Sequence, residues 1–119
     1  MRILLVDDEK ELVSTLAERL GFRSIDADWA TSGEEALQKA EAARYDLAVL
    51  DVKMPRLGGL KLKKKLEEKY PDMKFIFMTG HGSEEDFRAG SVEPGVAYYL
   101  VKPVNIDALI EKIKTALGN

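Results

Sequence analysis

The 119-residue chain has no cysteine, which excludes disulfides, thiolate zinc sites and thiol catalysis. Histidine occurs once, at His81. No apolar run approaches the ~20 residues that span a bilayer, so no membrane contact is expected. A strand-like run begins at the second residue and leaves no room for a secretory leader ahead of it, so a cytoplasmic location is expected. There is no excess of basic charge: 18 Lys and Arg stand against 21 Asp and Glu, a net charge of -3. That argues against direct nucleic-acid binding, which calls for a basic surface. Internal repeats, low-complexity segments and linkers are also missing, and residues 1–119 are expected to form one domain.

What the chain does have is an ordinary globular composition, with 45% hydrophobic and 33% charged residues. At this length a domain buries roughly two-thirds of its unfolded surface. The most informative stretch is Leu47-Ala48-Val49-Leu50-Asp51-Val52-Lys53-Met54-Pro55. A short continuous apolar run bounded by turn signals reads as a strand buried on both faces. Asp51 then closes a central strand.

The other segments follow the same plan. Arg2 to Val6 reads as a strand, ended by Asp7-Asp8-Glu9. Leu12, Val13, Leu16, Ala17 and Leu20 share one helical face, with Gly21 as the expected stop and Asp8 with Glu11 as a capping pattern. Ser24 to Ala30 alternates, with Ile25, Ala27 and Trp29 on one side, and predicts a strand at or near an edge. Ser32 and Glu35 form a capping box ahead of a helix striped by Ala36, Leu37 and Ala40. After Pro55 and Gly58-Gly59 comes a helix with Leu62 and Leu66 one turn apart. Its lysines 61, 63, 64, 65 and 69 read as a solvated face, supported by Glu67 and Glu68 four residues beyond Lys63 and Lys64. Phe75 to Met78 is a fourth strand, ending at Thr79-Gly80-His81-Gly82. Ser83 to about Val92 predicts a weak helix, interrupted by Gly90 and ended by Pro94. Ala97 to Val101 is a fifth strand before Lys102-Pro103. Asn105 caps a last helix with Ile106, Leu109, Ile110, Ile113 and Leu117 on one face. Five strand–helix units in succession imply a doubly wound α/β fold with a parallel sheet.

In such a sheet the residues ending the strands share one edge, where ligands bind. Asp7, Asp8, Asp51, Thr79 and Lys102 meet there. Three carboxylates repel one another unless a cation intervenes. Oxygen donors without histidine or cysteine suit a hard ion, Mg²⁺. An ion held by about two carboxylates keeps positions for phosphoryl oxygens, while Lys102 adds a positive charge and Thr79 a hydroxyl donor. A carboxylate can itself accept the phosphoryl group. Asp51, alone on the central strand, is the candidate.

Four marks in order, Val6-Asp7-Asp8-Glu9, Leu50-Asp51-Val52-Lys53-Met54-Pro55, Met78-Thr79-Gly80-His81-Gly82 and Tyr99-Leu100-Val101-Lys102-Pro103, resemble the receiver domains of two-component response regulators, the CheY-like family. The resemblance covers essentially the whole chain. It implies strand order 2-1-3-4-5 with five helices, and a signalling domain that assists its own phosphorylation and dephosphorylation but is not an enzyme. It implies Asp51 as phosphoacceptor, Asp8, Asp51 and the backbone carbonyl of Lys53 as Mg²⁺ ligands, and Asp7 acting on the ion through water. Lys102 pairs with the phosphoryl group, and Thr79 and Tyr99 form the switch pair, although strand alternation alone does not choose Tyr99 over Tyr98. The partners it implies are a sensor histidine kinase as donor, an output domain or effector protein, and a second phosphorylated copy. It implies a cis bond at Lys102-Pro103, against a base rate of ~5–6%, and places Lys53 and His81 at the mouth of the site. The segment with Gly90 and Pro94 departs from the family, where a sound helix is usual.

Other readings exist on related topologies. A haloacid-dehalogenase-like Mg²⁺-dependent phosphatase uses a similar set of groups but wants a second aspartate where this chain has Lys53. A flavodoxin-like cofactor binder needs a phosphate-cradling loop where Asp7-Asp8-Glu9 would repel one. A receiver fold kept only for interaction would not need the full set of acids, Thr79 and Lys102.

Overall fold

Every residue of the run 47–50 is inaccessible to solvent, and the rest of the fold is arranged on its two sides. The computed structural model describes residues 1–80 and 96–118. Five strands, β1 (Arg2–Val6), β2 (Asp26–Ala30), β3 (Leu47–Asp51), β4 (Lys74–Thr79) and β5 (Val96–Val101), form one parallel sheet in the order β2-β1-β3-β4-β5. The expected order holds, with β2 at an edge. Four helices are present among the described residues: α1 (Lys10–Phe22), α2 (Gly33–Ala42), α3 (Gly59–Lys69) and α4 (Ile106–Ala116). The helix expected over Ser83 to Val92, and His81, lie outside the described residues.

Side chains alternate across a strand, so the sheet divides the core in two. Leu4, Val6, Ala48, Leu50, Phe75 and Phe77 pack against Ala36, Ala40, Leu62 and Leu66 of α2 and α3. Ile3, Leu5, Leu47, Val49, Ile76 and Met78 pack against Val13, Leu16 and Leu20 of α1 and Leu109 and Ile113 of α4. With both faces covered, β3 has no solvent face to mark with polar residues, which is why it reads as an unbroken apolar run.

Two helix starts match their sequence signals. Ser32 Oγ accepts the Glu35 N–H at 3.1 Å while Glu35 Oε1 accepts the Thr31 N–H at 2.8 Å. Asn105 Oδ1 accepts the N–H groups of Asp107 and Ala108 at 2.9 and 3.1 Å. Two other expectations are corrected. The N-cap of α1 is Glu9, not Asp8, and its side chain makes no capping hydrogen bond. Gly21 does not stop α1, which runs on to Phe22. The turn is made by Ser24 at φ 63, with the Ile25 N–H closing on the Leu20 carbonyl at 3.0 Å, a position usually given to glycine.

The lysine face of α3 is also different from its sequence reading. Lys61, Lys64, Lys65 and Lys69 are exposed, but Lys63 is fully buried. Its ammonium lies 3.3 Å from Glu67 Oε1 and 5.9 Å from the Phe75 ring centroid. The aliphatic stem covers apolar surface while the charged end reaches Glu67.

Candidate functional site

Because all five strands point the same way, the residues that end β1, β3, β4 and β5 meet along one edge. Asp7, directly after β1, is fully buried, and its N–H donates to the carbonyl of Ala30 at the end of β2, 3.2 Å away. Asp51 ends β3 and is 4% exposed, and Thr79 ends β4 and is 2% exposed. Past β5, the Lys102 N–H donates to the Thr79 carbonyl at 2.8 Å, and the Lys102-Pro103 bond is cis, as expected.

The side chains converge. One carboxylate oxygen each from Asp7, Asp8 and Asp51 lies within 4.8 Å of the others. Lys102 Nζ stands 2.6 Å from Asp7 Oδ2, 3.2 Å from Glu9 Oε1 and 3.4 Å from Asp51 Oδ2. Asp7 Oδ1 accepts the Glu9 N–H at 2.9 Å, and Asp51 Oδ1 takes a longer contact of 3.4 Å from the Lys53 N–H.

Burial and mutual repulsion set the electrostatics. Desolvation, then the negative charge of Asp7, push the Asp51 carboxyl up to about 6 against the opposing pull of Lys102 and the Lys53 N–H. Asp7 is also raised, chiefly by burial, with Lys102 and the Glu9 N–H acting against it. Burial works against the Lys102 charge, but its contacts with Asp7, Asp51 and Glu9 prevail and hold the ammonium above the usual lysine range. A single ammonium therefore serves two buried acids, Asp7 and Asp51, and one exposed acid, Glu9, with the exposed Asp8 alongside, and negative charge is left over.

A divalent cation would balance that excess, and the donor set fits one. The donors are all oxygen, the ligand type Mg²⁺ takes at about 2.0–2.1 Å, and they are gathered within 4.8 Å of one another. Asp8 is the exposed member of the trio, which leaves the group open to water.

Of the residues singled out in the sequence, Asp7, Asp8, Asp51 and Lys102 are brought into contact range. Thr79 is seated at the neighbouring strand end. Tyr99 lies on the α2–α3 side of the sheet, half-buried, its ring 5.6 Å from that of its strand partner Phe77. Lys53 is exposed, and its backbone N–H faces Asp51. Two contributors carried no assigned role in the sequence. Glu9 was one of three successive acids there, and here it grips Lys102. Gly59 opens α3 against the end of β3, its N–H donating to the Val52 carbonyl at 3.1 Å.

Comparison with known proteins agrees with this arrangement. The family model described as "Response regulator receiver domain" matches residues 3–114. Response regulator MprA of Mycobacterium leprae is 34% identical over 117 residues, 98% of this chain and 51% of its own length. The alkaline phosphatase synthesis transcriptional regulatory protein PhoP of Bacillus subtilis is 35% identical over 116 residues, 98% of this chain and 48% of its own. The chain thus spans about half the length of these curated relatives. Among solved structures, the response regulator TrrA of Thermotoga maritima in complex with Mg(2+)-BeF has a TM-score of 0.83 and 37% identity, with 98% of each chain covered. A CheY-like receiver domain protein of Methanospirillum hungatei has a TM-score of 0.88 and 36% identity, covering 98% of this chain and 93% of its own. The phosphatase alternative draws no support from these matches.

Proposed function

The chain belongs to the response regulator receiver domain family, and from that membership we propose that it accepts a phosphoryl group on Asp51 in a Mg²⁺-dependent reaction. The observation that carries the reading is the placement of Lys102 Nζ 3.4 Å from the buried Asp51 carboxylate, beside the carboxylates of Asp7 and Asp8. Residues 1–119 are taken as one receiver domain.

The roles are those that family membership implies. With its carboxyl at about 6, Asp51 is ionised at neutral pH and presents an oxygen lone pair to the phosphorus of a donor. The new O–P bond forms as the bond to the donor's leaving group breaks, giving an acyl phosphate on Asp51. Lys102 offsets charge on the phosphoryl oxygens. Asp8, Asp51 and the carbonyl of Lys53 would hold Mg²⁺, and Asp7 would act on it through water. The ion, when bound, supplies positive charge to the phosphoryl oxygens and offsets the repulsion among the acids. The Thr79 hydroxyl donates to the phosphoryl group, and Tyr99 completes the switch. Support for Mg²⁺ comes from the oxygen-only donor set and from the TrrA structure, whose complex contains Mg(2+)-BeF.

The donor in this reading is a sensor histidine kinase. The readout is an output domain or effector protein, with pairing of two phosphorylated copies as a further route. The domain signals rather than turning over a substrate, binds neither nucleic acid nor membrane directly, and works in the cytoplasm. No helix among the described residues is long and apolar enough to cross a membrane. The test is incubation with acetyl phosphate and Mg²⁺ followed by intact mass measurement. One phosphoryl mass is expected for the native chain and none for Asp51→Asn or without Mg²⁺. Labelling that persists in Asp51→Asn would overturn the assignment.

A further inference from the structure

We propose that Glu9 is a positioning residue that draws the Lys102 ammonium away from Asp51 and competes with the phosphoryl group for it; this rests on the assignment of Asp51 as phosphoacceptor. Three observations carry it. Lys102 Nζ is closer to Asp7 and Glu9, at 2.6 and 3.2 Å, than to Asp51, at 3.4 Å. The ammonium is thus shared, and Asp51 is the most distant of its three partners.

The second observation is that Glu9 occupies the N-cap of α1 without capping it. An N-cap side chain ordinarily accepts one of the free N–H groups of the first turn, and Asp, Asn and Ser do so well. Here the longer carboxylate bypasses the helix and reaches a lysine 93 positions along the chain.

The third is that Glu9 lies outside the trio of Asp7, Asp8 and Asp51 whose oxygens cluster within 4.8 Å. A divalent cation held by the trio takes up charge from Asp7 and Asp51, the other two partners of Lys102. Glu9 is then the carboxylate left to the ammonium. For Lys102 to meet a phosphoryl group on Asp51, the Glu9 contact must be released. The Glu9 side chain is 64% exposed, so the contact has the strength of a partly solvated pair. Its removal should change phosphoryl-state affinity about two- to fivefold.

The experiment measures binding of beryllofluoride, a phosphoryl mimic, by calorimetry in saturating Mg²⁺. The native chain is compared with Glu9→Gln, Glu9→Asp and Glu11→Gln. Aspartate keeps the charge but is one methylene short of Lys102, so it separates direct contact from the general field of a carboxylate. Both Glu9 variants should bind about two- to fivefold tighter than the native chain, and Glu11→Gln should bind like it. The proposal is overturned if Glu9→Asp binds like the native chain while Glu9→Gln binds tighter, since the field alone would then act. It is also overturned if neither Glu9 variant gains affinity. A native chain that takes up no beryllofluoride at all would instead remove the phosphoacceptor reading on which the proposal stands.

Discussion

A Cβ added to Gly59 would lie 2.3 Å from the carbonyl oxygen of Asp51 and 3.1 Å from the Cα of Val52. The first turn of α3 is therefore pressed against the backbone that carries the proposed phosphoacceptor, and only a residue without a side chain permits that approach. Gly59→Ala should cost roughly 2–3 kcal/mol of stability, as overpacking does in a rigid setting, and should displace Asp51 enough to weaken Mg²⁺ binding. Gly80→Ala is the control, because nothing among the described residues lies within 4 Å of the added atom. Gly21→Ala, in the last turn of α1 and equally open among the described residues, should be stabilising by up to about 0.5–1 kcal/mol. Chemical denaturation of the three variants checks the ranking.

Asp51 gives the metal-free protein a distinct pH dependence. Its carboxyl is raised in the folded state from an ordinary 3.8 to about 6. Between those values the native state holds a proton that the unfolded state has lost, so stability falls as pH rises through this window. Above about 6 the full cost of burying the ionised carboxylate is present; at the low end it is gone. Asp51→Asn, which has no charge to bury, should be more stable than the native chain by on the order of 2–3 kcal/mol at pH 7.5 without metal. The gap should close as pH is lowered toward 4. Paired denaturation curves across that range, in chelator, would show it, and a gap that does not change with pH would contradict it.

The same ionisation governs metal binding. A protonated Asp51 offers Mg²⁺ no anionic oxygen, so Mg²⁺ affinity should drop as pH falls through about 6. Asp8→Ala should weaken Mg²⁺ binding at every pH because it removes a ligand. Calorimetric titration with MgCl₂ at pH 5.5 and 7.5 tests both statements.

Arg56 sits at φ 66 in the turn between β3 and α3, a left-handed conformation costly for a residue with a side chain. Arg56→Gly relieves that strain but adds freedom to the unfolded chain. The net expectation is a gain of up to about 1 kcal/mol, read from the denaturant midpoint.

Lys63 and Lys65 are two positions apart on α3, yet one is buried and the other exposed. Lys63→Ala should cost about 1–3 kcal/mol, through lost packing over Phe75 and an unpaired Glu67. Lys65→Ala should lie within about 0.5 kcal/mol of the native chain. Their difference in denaturant midpoint measures what the buried ammonium and its stem contribute.

The contrast also shows how far a sequence carries. Strands β1, β3 and β4 were legible because burial on both faces leaves an apolar run, β2 only by its alternation, and the acid, hydroxyl and lysine at the strand ends are placed on one edge by parallel pairing alone. Lys63 was not legible. In the run Lys61-Leu62-Lys63-Lys64-Lys65-Leu66 it looks like its neighbours, and only the packing of α3 over Phe75 singles it out. Glu9 was visible as an acid, but its contact depends on where Lys102 arrives from β5, a tertiary fact. Ser24 at positive φ hid the true end of α1, because Gly21 offered a better local stop signal than the residue that turns the chain.

The central claim is that Asp51, and neither of its acidic neighbours, receives the phosphoryl group, and the direct measurement is to locate the acyl phosphate. After incubation with acetyl phosphate and Mg²⁺, borohydride reduction converts a phosphorylated aspartate to homoserine, which peptide mass spectrometry places in the sequence. The account predicts homoserine at position 51 and intact aspartate at positions 7 and 8. Homoserine at 7 or 8, or none anywhere, would contradict it.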